Sequence, residues 1–222
     1  MATARFCTTQ APLTGVVDFF CADFDGTKAD EGFTSASLPD GGALMLTTDS
    51  FFSAPNSLTN KNDATLFWEK IGATPFLETQ VNVRINVGSL GGLVPPSTGY
   101  VTILRLSSVD TNVELRYADG AFVEGATYKG YYVNAAFCPN ACGVEEKKLT
   151  NQLPVNVWTD VQIIWQKTGA VKVNLNGLTV ADLTSASTTS TKIAATLGVV
   201  QIGAPVGVGR HAYDNFIVSV KR

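Results

Sequence analysis

Residues 158–177 read WTDVQIIWQKTGAVKVNLNG, and this stretch decides the fold class. Apolar side chains stand at every second position of 161–165 and again of 171–175, on either side of a Lys-Thr-Gly-Ala segment. Successive side chains of a strand point to opposite faces, so each run predicts a strand with one buried and one polar face. The two runs predict a hairpin, and Asn176-Gly177 suits a type I′ turn because both positions tolerate positive φ.

The same alternation recurs at residues 79–87 and 113–117, whereas no long segment shows the apolar spacing of an amphipathic helix. Turn-forming sequences separate the runs: Asp40-Gly41-Gly42, Gly91-Gly92, Pro95-Pro96, Asp119-Gly120 and Thr168-Gly169. Many short strands at such spacing predict an all-β sandwich or barrel. Since no internal repeat or shift in composition divides the chain, we expect one domain over residues 1–222, with residues 1–17 as an N-terminal arm.

The composition excludes several classes of protein. Of the 222 residues, 45% are hydrophobic and 16% are charged, which is too apolar for a disordered chain. The net charge of −3 and the lack of Lys/Arg clusters argue against binding to nucleic acid or to anionic membranes. No apolar run approaches the roughly 18 residues that predict insertion into a membrane. What these features predict is a folded domain with a large core.

The four cysteines are Cys7, Cys21, Cys138 and Cys142. We expect Cys138 to pair with Cys142 across the Pro-Asn turn between them, and Cys7 to pair with Cys21. The alternative is a zinc site, but the spacing is not a repeated C-x-x-C and His211 is the only histidine. We expect His211 near the start of the last strand and partly exposed. Disulfides indicate a secreted or cell-surface protein. Residues 1–5 do not read as a signal peptide, so we expect an export signal to have been removed before this sequence.

Several passages together resemble one family. They are Phe20–Gly26 (FCADFDG), Ser53–Leu58 (SAPNSL), residues 158–177, and Ile202-Gly203 followed by Tyr213–Val218 (YDNFIV). Their order resembles that of secreted bacterial laminin-G-like jelly rolls of the concanavalin A-like lectin/glucanase superfamily. The resemblance implies a two-sheet antiparallel β-sandwich whose first and last strands are neighbours. It leaves function open, because this architecture hosts lectins, lyases, hydrolases and adhesion modules.

The resemblance also implies a metal site. Related jelly rolls often carry a structural calcium ion between the terminal strands, and Asp23, Asp25 and Asp214 would approach one another there. Carboxylates suit calcium. The alternative is that Asp25-Gly26 forms a turn and Asp214 makes a local hydrogen bond, since the sequence has no dense D-x-D-x-D-G loop.

A glycan-binding face is the second functional expectation. In the similar lectins and lyases, ligands lie across one concave sheet face lined by aromatic and polar side chains. Tyrosine rings stack on sugar C–H surfaces, and Arg, Gln and Asn side chains give directional hydrogen bonds to hydroxyls. The candidate ligand-binding residues are Gln80, Asn82, Arg84, Glu114, Arg116, Tyr128, Tyr132 and Gln162. The alternative is an ordinary solvated sheet face.

Catalysis is not indicated by any complete motif. The E-x-D-x-x-E strand of hydrolases in the superfamily is absent. The lyase motifs have only partial counterparts in Glu114-Leu115-Arg116, in Tyr128-Lys129-Gly130 leading to Asn134, and in Gln162-Ile163-Ile164, where Ile164 replaces the expected histidine. We therefore expect a non-catalytic binding or adhesion module that recognises glycan. A polysaccharide lyase or glycoside hydrolase, and a structural module without a small ligand, are the alternatives.

Overall fold

The protein is described by a computed structural model that covers residues 6–38, 42–48, 52, 56–61, 64–89, 100–137, 143–184, 186–202 and 210–222. These residues form a single-turn helix, α1 (Phe6–Thr9), and fifteen strands. The strands are β1 (Val16–Ala22), β2 (Ser35–Ser37), β3 (Ala43–Thr47), β4 (Ser57–Lys61), β5 (Thr65–Ile71), β6 (Glu78–Ser89), β7 (Tyr100–Ser107), β8 (Thr111–Val123), β9 (Ala126–Phe137), β10 (Gly143–Lys148), β11 (Trp158–Gln166), β12 (Ala170–Leu175), β13 (Leu178–Thr184), β14 (Lys192–Ile202) and β15 (Arg210–Lys221).

The strands build two antiparallel sheets, so the predicted all-β sandwich is confirmed. The eight-stranded sheet has the order β13-β12-β11-β6-β15-β4-β3, and β1 also pairs with β15. The seven-stranded sheet has the order β10-β9-β8-β7-β14-β5-β2. The first and last strands were predicted to be neighbours, and they are: β1 pairs with β15. Their register runs from Val16 opposite Lys221 to Ala22 opposite Phe216.

The predicted hairpin over residues 161–175 is also confirmed. It is formed by β11 and β12, in register from Val161 opposite Leu175 to Trp165 opposite Val171. The turn that follows has φ of 49° at Asn176 and 80° at Gly177, as a type I′ turn requires.

The core lies between the two sheets and follows the alternation read from the sequence. Val81, Val83 and Ile85 of β6 are buried, and so are residues 113, 115 and 117 of β8. Because side chains alternate between faces, the residues between them lie on the outer faces of the two sheets. The sandwich therefore has two outer faces, one on each sheet, and these face away from each other.

The N-terminal arm is fixed to the sandwich by a disulfide between Cys7 of α1 and Cys21 of β1, which confirms that predicted pair. Cys138 and Cys142 lie outside the described residues, as does the predicted bridge between them. Beneath the arm, the Phe20 ring meets Phe33 edge-on, with ring centroids 4.9 Å apart. No helix within the described part of the chain is both long and apolar enough to cross a membrane.

Candidate functional site

The eight predicted ligand-binding residues divide between the two outer faces of the sandwich. Gln80, Asn82, Arg84 and Gln162 lie on strands β6 and β11 of the eight-stranded sheet. Glu114, Arg116, Tyr128 and Tyr132 lie on strands β8 and β9 of the seven-stranded sheet. The structure therefore brings each group of four together and keeps the two groups on opposite sides of the core.

On the seven-stranded sheet, one row of polar residues crosses four neighbouring strands. Its members are paired in register from one strand to the next: Arg105 on β7, Glu114 on β8, Asn134 on β9 and Glu146 on β10. We call these four residues the polar row. Strands are about 4.8 Å apart, so the row extends over about 14 Å.

Glu114 is the centre of this row. Its side chain is only 3% exposed and forms ion pairs with two guanidinium groups, at 2.6 Å from Arg105 Nε and 2.5 Å from Arg116 Nε. The hydroxyl of Thr102 also donates a hydrogen bond to the carboxylate, at 3.1 Å. A buried carboxylate is stable only when it is paired and hydrogen-bonded in this way. Glu114 therefore holds both arginines on the outer face.

Arg116 connects the polar row to the tyrosines beside it. Its guanidinium carbon lies 3.9 Å from the centre of the Tyr100 ring. Burial disfavours its charge, but the carboxylate of Glu114 outweighs burial and raises the pKa of Arg116 above its ordinary value. Burial also raises the pKa of Tyr132 to about 12, against the opposing effect of a hydrogen bond from Arg116. At neutral pH this part of the sheet therefore holds a guanidinium cation and, next to it, a buried phenol that keeps its proton.

Tyr128 is placed by contacts from a neighbouring loop. Its hydroxyl donates to the carbonyl oxygen of Tyr131 at 3.0 Å and accepts a hydrogen bond from Gln152 Nε2 at 3.0 Å. Gly130 has a φ of 142°, and a Cβ there would lie 2.6 Å from Gln152 Oε1, so a larger residue would displace this arrangement. Lys148 of β10 lies over the Tyr128 ring at 5.2 Å.

Asn134 carries an unused acceptor. Its Nδ2 donates to Glu146 Oε1 at 3.3 Å, while its Oδ1 is buried and has no hydrogen-bond partner among the described residues. A buried polar atom without a partner carries a free-energy cost.

Reasoning from the sequence did not place Arg105, Asn134, Glu146, Lys148 and Tyr100 on this face. Alternation along β9 could have assigned Asn134, because it lies two residues after Tyr132 and therefore on the same side of the strand. The other four residues join the face only through the pairing of β7, β8, β9 and β10, which alternation within a strand does not reveal.

His211 has a different place from the one expected. Reasoning from the sequence placed it near the start of the last strand and partly exposed. It does lie at the start of β15, but it is 1% exposed and its Nε2 lies 3.2 Å from the hydroxyl of Tyr131. Tyr131 belongs to the core, so the lone histidine lies between the sheets and not on either outer face.

The outer face of the eight-stranded sheet is built from different chemistry. Asn82, Gln162 and Asn174 stand side by side on β6, β11 and β12, and their amide groups are hydrogen-bonded to one another. Beside them Arg84 forms an ion pair with Asp160. In contrast to Glu114, the Asp160 side chain is 55% exposed.

The three predicted calcium ligands are buried near the junction of β1 and β15. Asp23 accepts hydrogen bonds from the backbone N–H groups of Cys7 and Asp25, at 3.2 and 3.3 Å. Asp25 accepts one from Asn56, and Asp214 accepts one from Phe52 at 3.0 Å. Their oxygen atoms are donors that calcium prefers.

In the part of the chain that is described, no three His, Cys, Asp or Glu side chains form a group that could hold a metal ion. A calcium ion at this junction would therefore need backbone carbonyl oxygens or water among its ligands, as calcium sites commonly have. The calcium site stays a prediction.

Comparison with known proteins identifies the fold. No protein-family model matches the chain, and no curated protein sequence matches it. Among solved structures, an endo-β-1,4-glucuronan lyase from the fungus Trichoderma reesei has a TM-score of 0.63 at 12% identity, over 90% of this chain and 94% of the lyase. A glycoside hydrolase family 16 endo-glucanase from Bacteroides ovatus has a TM-score of 0.58 at 9% identity, over 90% and 99% of the two chains.

A third similar structure is the ligand-binding domain of botulinum neurotoxin serotype D in complex with N-acetylneuraminic acid. It has a TM-score of 0.52 at 12% identity, over 84% of this chain and 42% of that one. At such identities the likeness concerns fold alone. The chain has the jelly-roll fold of concanavalin A-like proteins, which is found in lyases, hydrolases and binding domains.

Proposed function

We propose that this protein binds an acidic polysaccharide on the outer face of its seven-stranded sheet and does not cleave it. The observation that carries the proposal is the ion pairing at the polar row: Glu114 pairs with Arg105 of the row and with Arg116 beside it, and it stands opposite Asn134. A guanidinium group offers a planar fork of N–H donors that fits carboxylates and pairs of hydroxyls. A sugar acid lying across the strands would meet these groups together with the adjacent tyrosine rings.

Binding without cleavage is supported by how the ionisable groups are used. Glycoside hydrolysis usually needs two carboxyl groups, one of them free to give a proton. Here the Glu114 carboxylate is ion-paired with two guanidinium cations, and Glu146 accepts a hydrogen bond from Asn134. The single histidine, His211, lies in the core. These contacts favour a rigid binding face over a pair of titrating carboxyl groups.

The second candidate is a polysaccharide lyase, and Tyr132 favours it. β-Elimination from a uronate needs a group that stabilises the sugar carboxylate, a base that takes the C5 proton and an acid that protonates the leaving oxygen. Arg116 and Asn134 could serve the first role. Tyr132 stands opposite Arg116 on the next strand, and burial keeps its phenol protonated at neutral pH, as the proton donor must be. The glucuronan lyase with a similar fold adds support for this candidate.

The similar structures also support carbohydrate as the ligand. They comprise a glucuronan lyase, an endo-glucanase and a binding domain in complex with N-acetylneuraminic acid. We further propose a location outside the cell, because the Cys7–Cys21 disulfide forms and persists in an oxidising compartment. The laminin-G-like resemblance and the bacterial origin belong to the same proposal.

One experiment separates binding from cleavage. The protein is run in native gels containing polyglucuronate, alginate or polygalacturonate, and each polymer is also incubated with the protein while absorbance from unsaturated sugar is recorded. Retardation without absorbance supports the binding function, whereas an absorbance rise that Tyr132→Phe abolishes establishes the lyase. If none of the three polymers retards the protein or is cleaved, the proposal is wrong.

A matched pair of variants assigns the binding to the face. Arg105→Gln combined with Lys148→Gln removes two positive charges from the seven-stranded face, and we expect affinity to fall at least about tenfold. Lys167→Gln combined with Lys172→Gln removes the same charge from the β11–β12 hairpin of the other sheet. Equal losses in both variants would indicate attraction by overall charge and would contradict a site on the polar row.

A further inference from the structure

A second row of side chains crosses the outer face of the eight-stranded sheet. Asn82 of β6, Gln162 of β11, Asn174 of β12 and Thr179 of β13 stand opposite one another in register. We call these four residues the amide row. Thr179 Oγ1 donates to Asn174 Oδ1 at 2.8 Å, Asn174 Nδ2 to Gln162 Oε1 at 2.5 Å, and Gln162 Nε2 to Asn82 Oδ1 at 2.9 Å.

Strand formation does not explain this choice of residues. Asparagine is depleted in strands, where β-branched and aromatic residues fit better, and yet Asn82 and Asn174 lie within β6 and β12. Amides also add no charge to the surface. The side chains are accessible, because Gln162 and both asparagines are only half-buried.

The amide row has hydrogen-bonding capacity to spare. Each carboxamide has two N–H donors and an oxygen that accepts two hydrogen bonds. Asn174 and Gln162 each use one N–H in the row, and no hydrogen bond among the described residues uses Asn82 Nδ2. Since all bonds in the row run in the direction of Asn82, the orientation of every amide is set before a ligand arrives.

A groove of about 260 Å³ runs along this row. Asn82, Gln162 and Asn174 form its floor, and Phe6 of α1 borders it. Arg84 and Asp160 line another side, where they form an ion pair, so the two charges cancel. The Arg84 guanidinium is also fixed over the Phe52 ring, 3.2 Å from its centre.

We propose that this groove is a second binding site, for an uncharged polysaccharide. Sugar hydroxyls both donate and accept hydrogen bonds, as amides do, so a neutral glycan matches a surface of oriented amides without desolvating an unpaired charge. The row spans four strands, about 14 Å, which suits a short stretch of a glycan chain. The site is separate from the polar row, because the two lie on opposite outer faces.

The test uses native gels that contain hydroxyethylcellulose, galactomannan or xyloglucan, all of them uncharged. We expect at least one to retard the protein and Gln162→Glu to weaken that retardation at least about tenfold, since a carboxylate cannot donate to Asn82. Gln166→Glu is the matched control, because it makes the same change on the same face and strand but outside the residues that line the groove. It should leave the affinity for the neutral polymer unchanged. Gln162→Met, which removes the polar group without adding charge, should match Gln162→Glu.

Two results would overturn the proposal: no retardation by any of the three polymers, or equal affinities for Gln162→Glu and Gln166→Glu. Side-chain amide resonances of the unaltered protein provide a measurement that is independent of variant folding. Adding a neutral oligosaccharide of the retarding polymer should shift the amide signals of Asn82, Gln162 and Asn174, and shifts confined to the seven-stranded sheet would contradict the assignment. Because the probes carry no charge, failure here is distinct from failure of acidic-polysaccharide binding.

Discussion

The two outer faces of the sandwich use an arginine and a carboxylate on neighbouring strands in opposite ways. On the seven-stranded sheet Glu114 is 3% exposed and holds Arg105 and Arg116. On the eight-stranded sheet Asp160 is 55% exposed and, among the described residues, its carboxylate pairs with Arg84 alone. Burial makes the first arrangement part of the framework of the protein, whereas solvent screens the second, so that it contributes little to stability. The same residue types therefore predict different roles once their exposure is known.

The largest expected effect comes from breaking the buried arrangement. Glu114→Ala leaves two guanidinium cations close together without their carboxylate, and removing one partner of a buried ion pair costs about 3–5 kcal/mol. Asp160→Ala removes an exposed partner, for which we expect about 0–1 kcal/mol. Urea unfolding of both variants and the unaltered protein measures the difference. Equal losses would show that the two faces do not differ in the way described above.

Alternation of apolar residues accounts for how much of the fold could be predicted. It identified β6, β8, β11 and β12 and showed which residues of each strand face the core, because that depends only on neighbours in sequence. The Asn176-Gly177 turn was predictable for the same reason. The resemblance placed β1 beside β15, which local pattern alone does not show.

The candidate site was less predictable because it depends on which strands are neighbours. Gln162 and Glu114 have the same alternating pattern, and nothing in either segment states that β11 pairs with β6 while β8 pairs with β7 and β9. For this reason the eight candidate residues were expected on one face but lie on two. The exposure of His211 was also misjudged, since its burial depends on contact with Tyr131 of the other sheet.

The disulfide offers a second way to separate the faces. Cys7 and Cys21 are 14 residues apart, and cross-linking a loop of about that length stabilises a protein by about 3 kcal/mol. We therefore expect the Cys7→Ser/Cys21→Ser variant to lose about that amount in urea unfolding. Because Phe6 borders the groove of the amide row, release of α1 should also weaken binding of neutral polysaccharide. Acidic-polysaccharide binding should persist, and its parallel loss would mean that the arm supports both faces.

Calcium provides a third test, at the junction of β1 and β15 in the eight-stranded sheet. If the ion binds the folded protein through Asp23, Asp25 and Asp214, a concentration 100 times the Kd stabilises it by about 2.7 kcal/mol. For a chain of this size that corresponds to a rise in Tm of roughly 5–10 °C over EDTA. Asp214→Asn should abolish the rise, and Asp160→Asn, a carboxylate of the same sheet outside the junction, should retain it. An unchanged Tm at millimolar calcium would remove the metal from this region.

The last test concerns proton binding, which should distinguish the faces at high pH. Burial raises the pKa of Tyr132 from its ordinary value of 10 to about 12, so the folded protein keeps this proton after the unfolded chain has lost it. The resulting stability is complete below pH 10 and is lost as the pH rises to about 12. Tyr132→Phe should flatten the fall in unfolding free energy by up to about 1.4 kcal/mol per pH unit, with the contributions of buried Tyr131 and Tyr213 left in place. Gln162→Met changes the other face at a group that does not titrate, so its unfolding free energy should depend on pH as that of the unaltered protein does. If the unfolding free energy of Tyr132→Phe showed that same pH dependence, Tyr132 would titrate as an exposed tyrosine does.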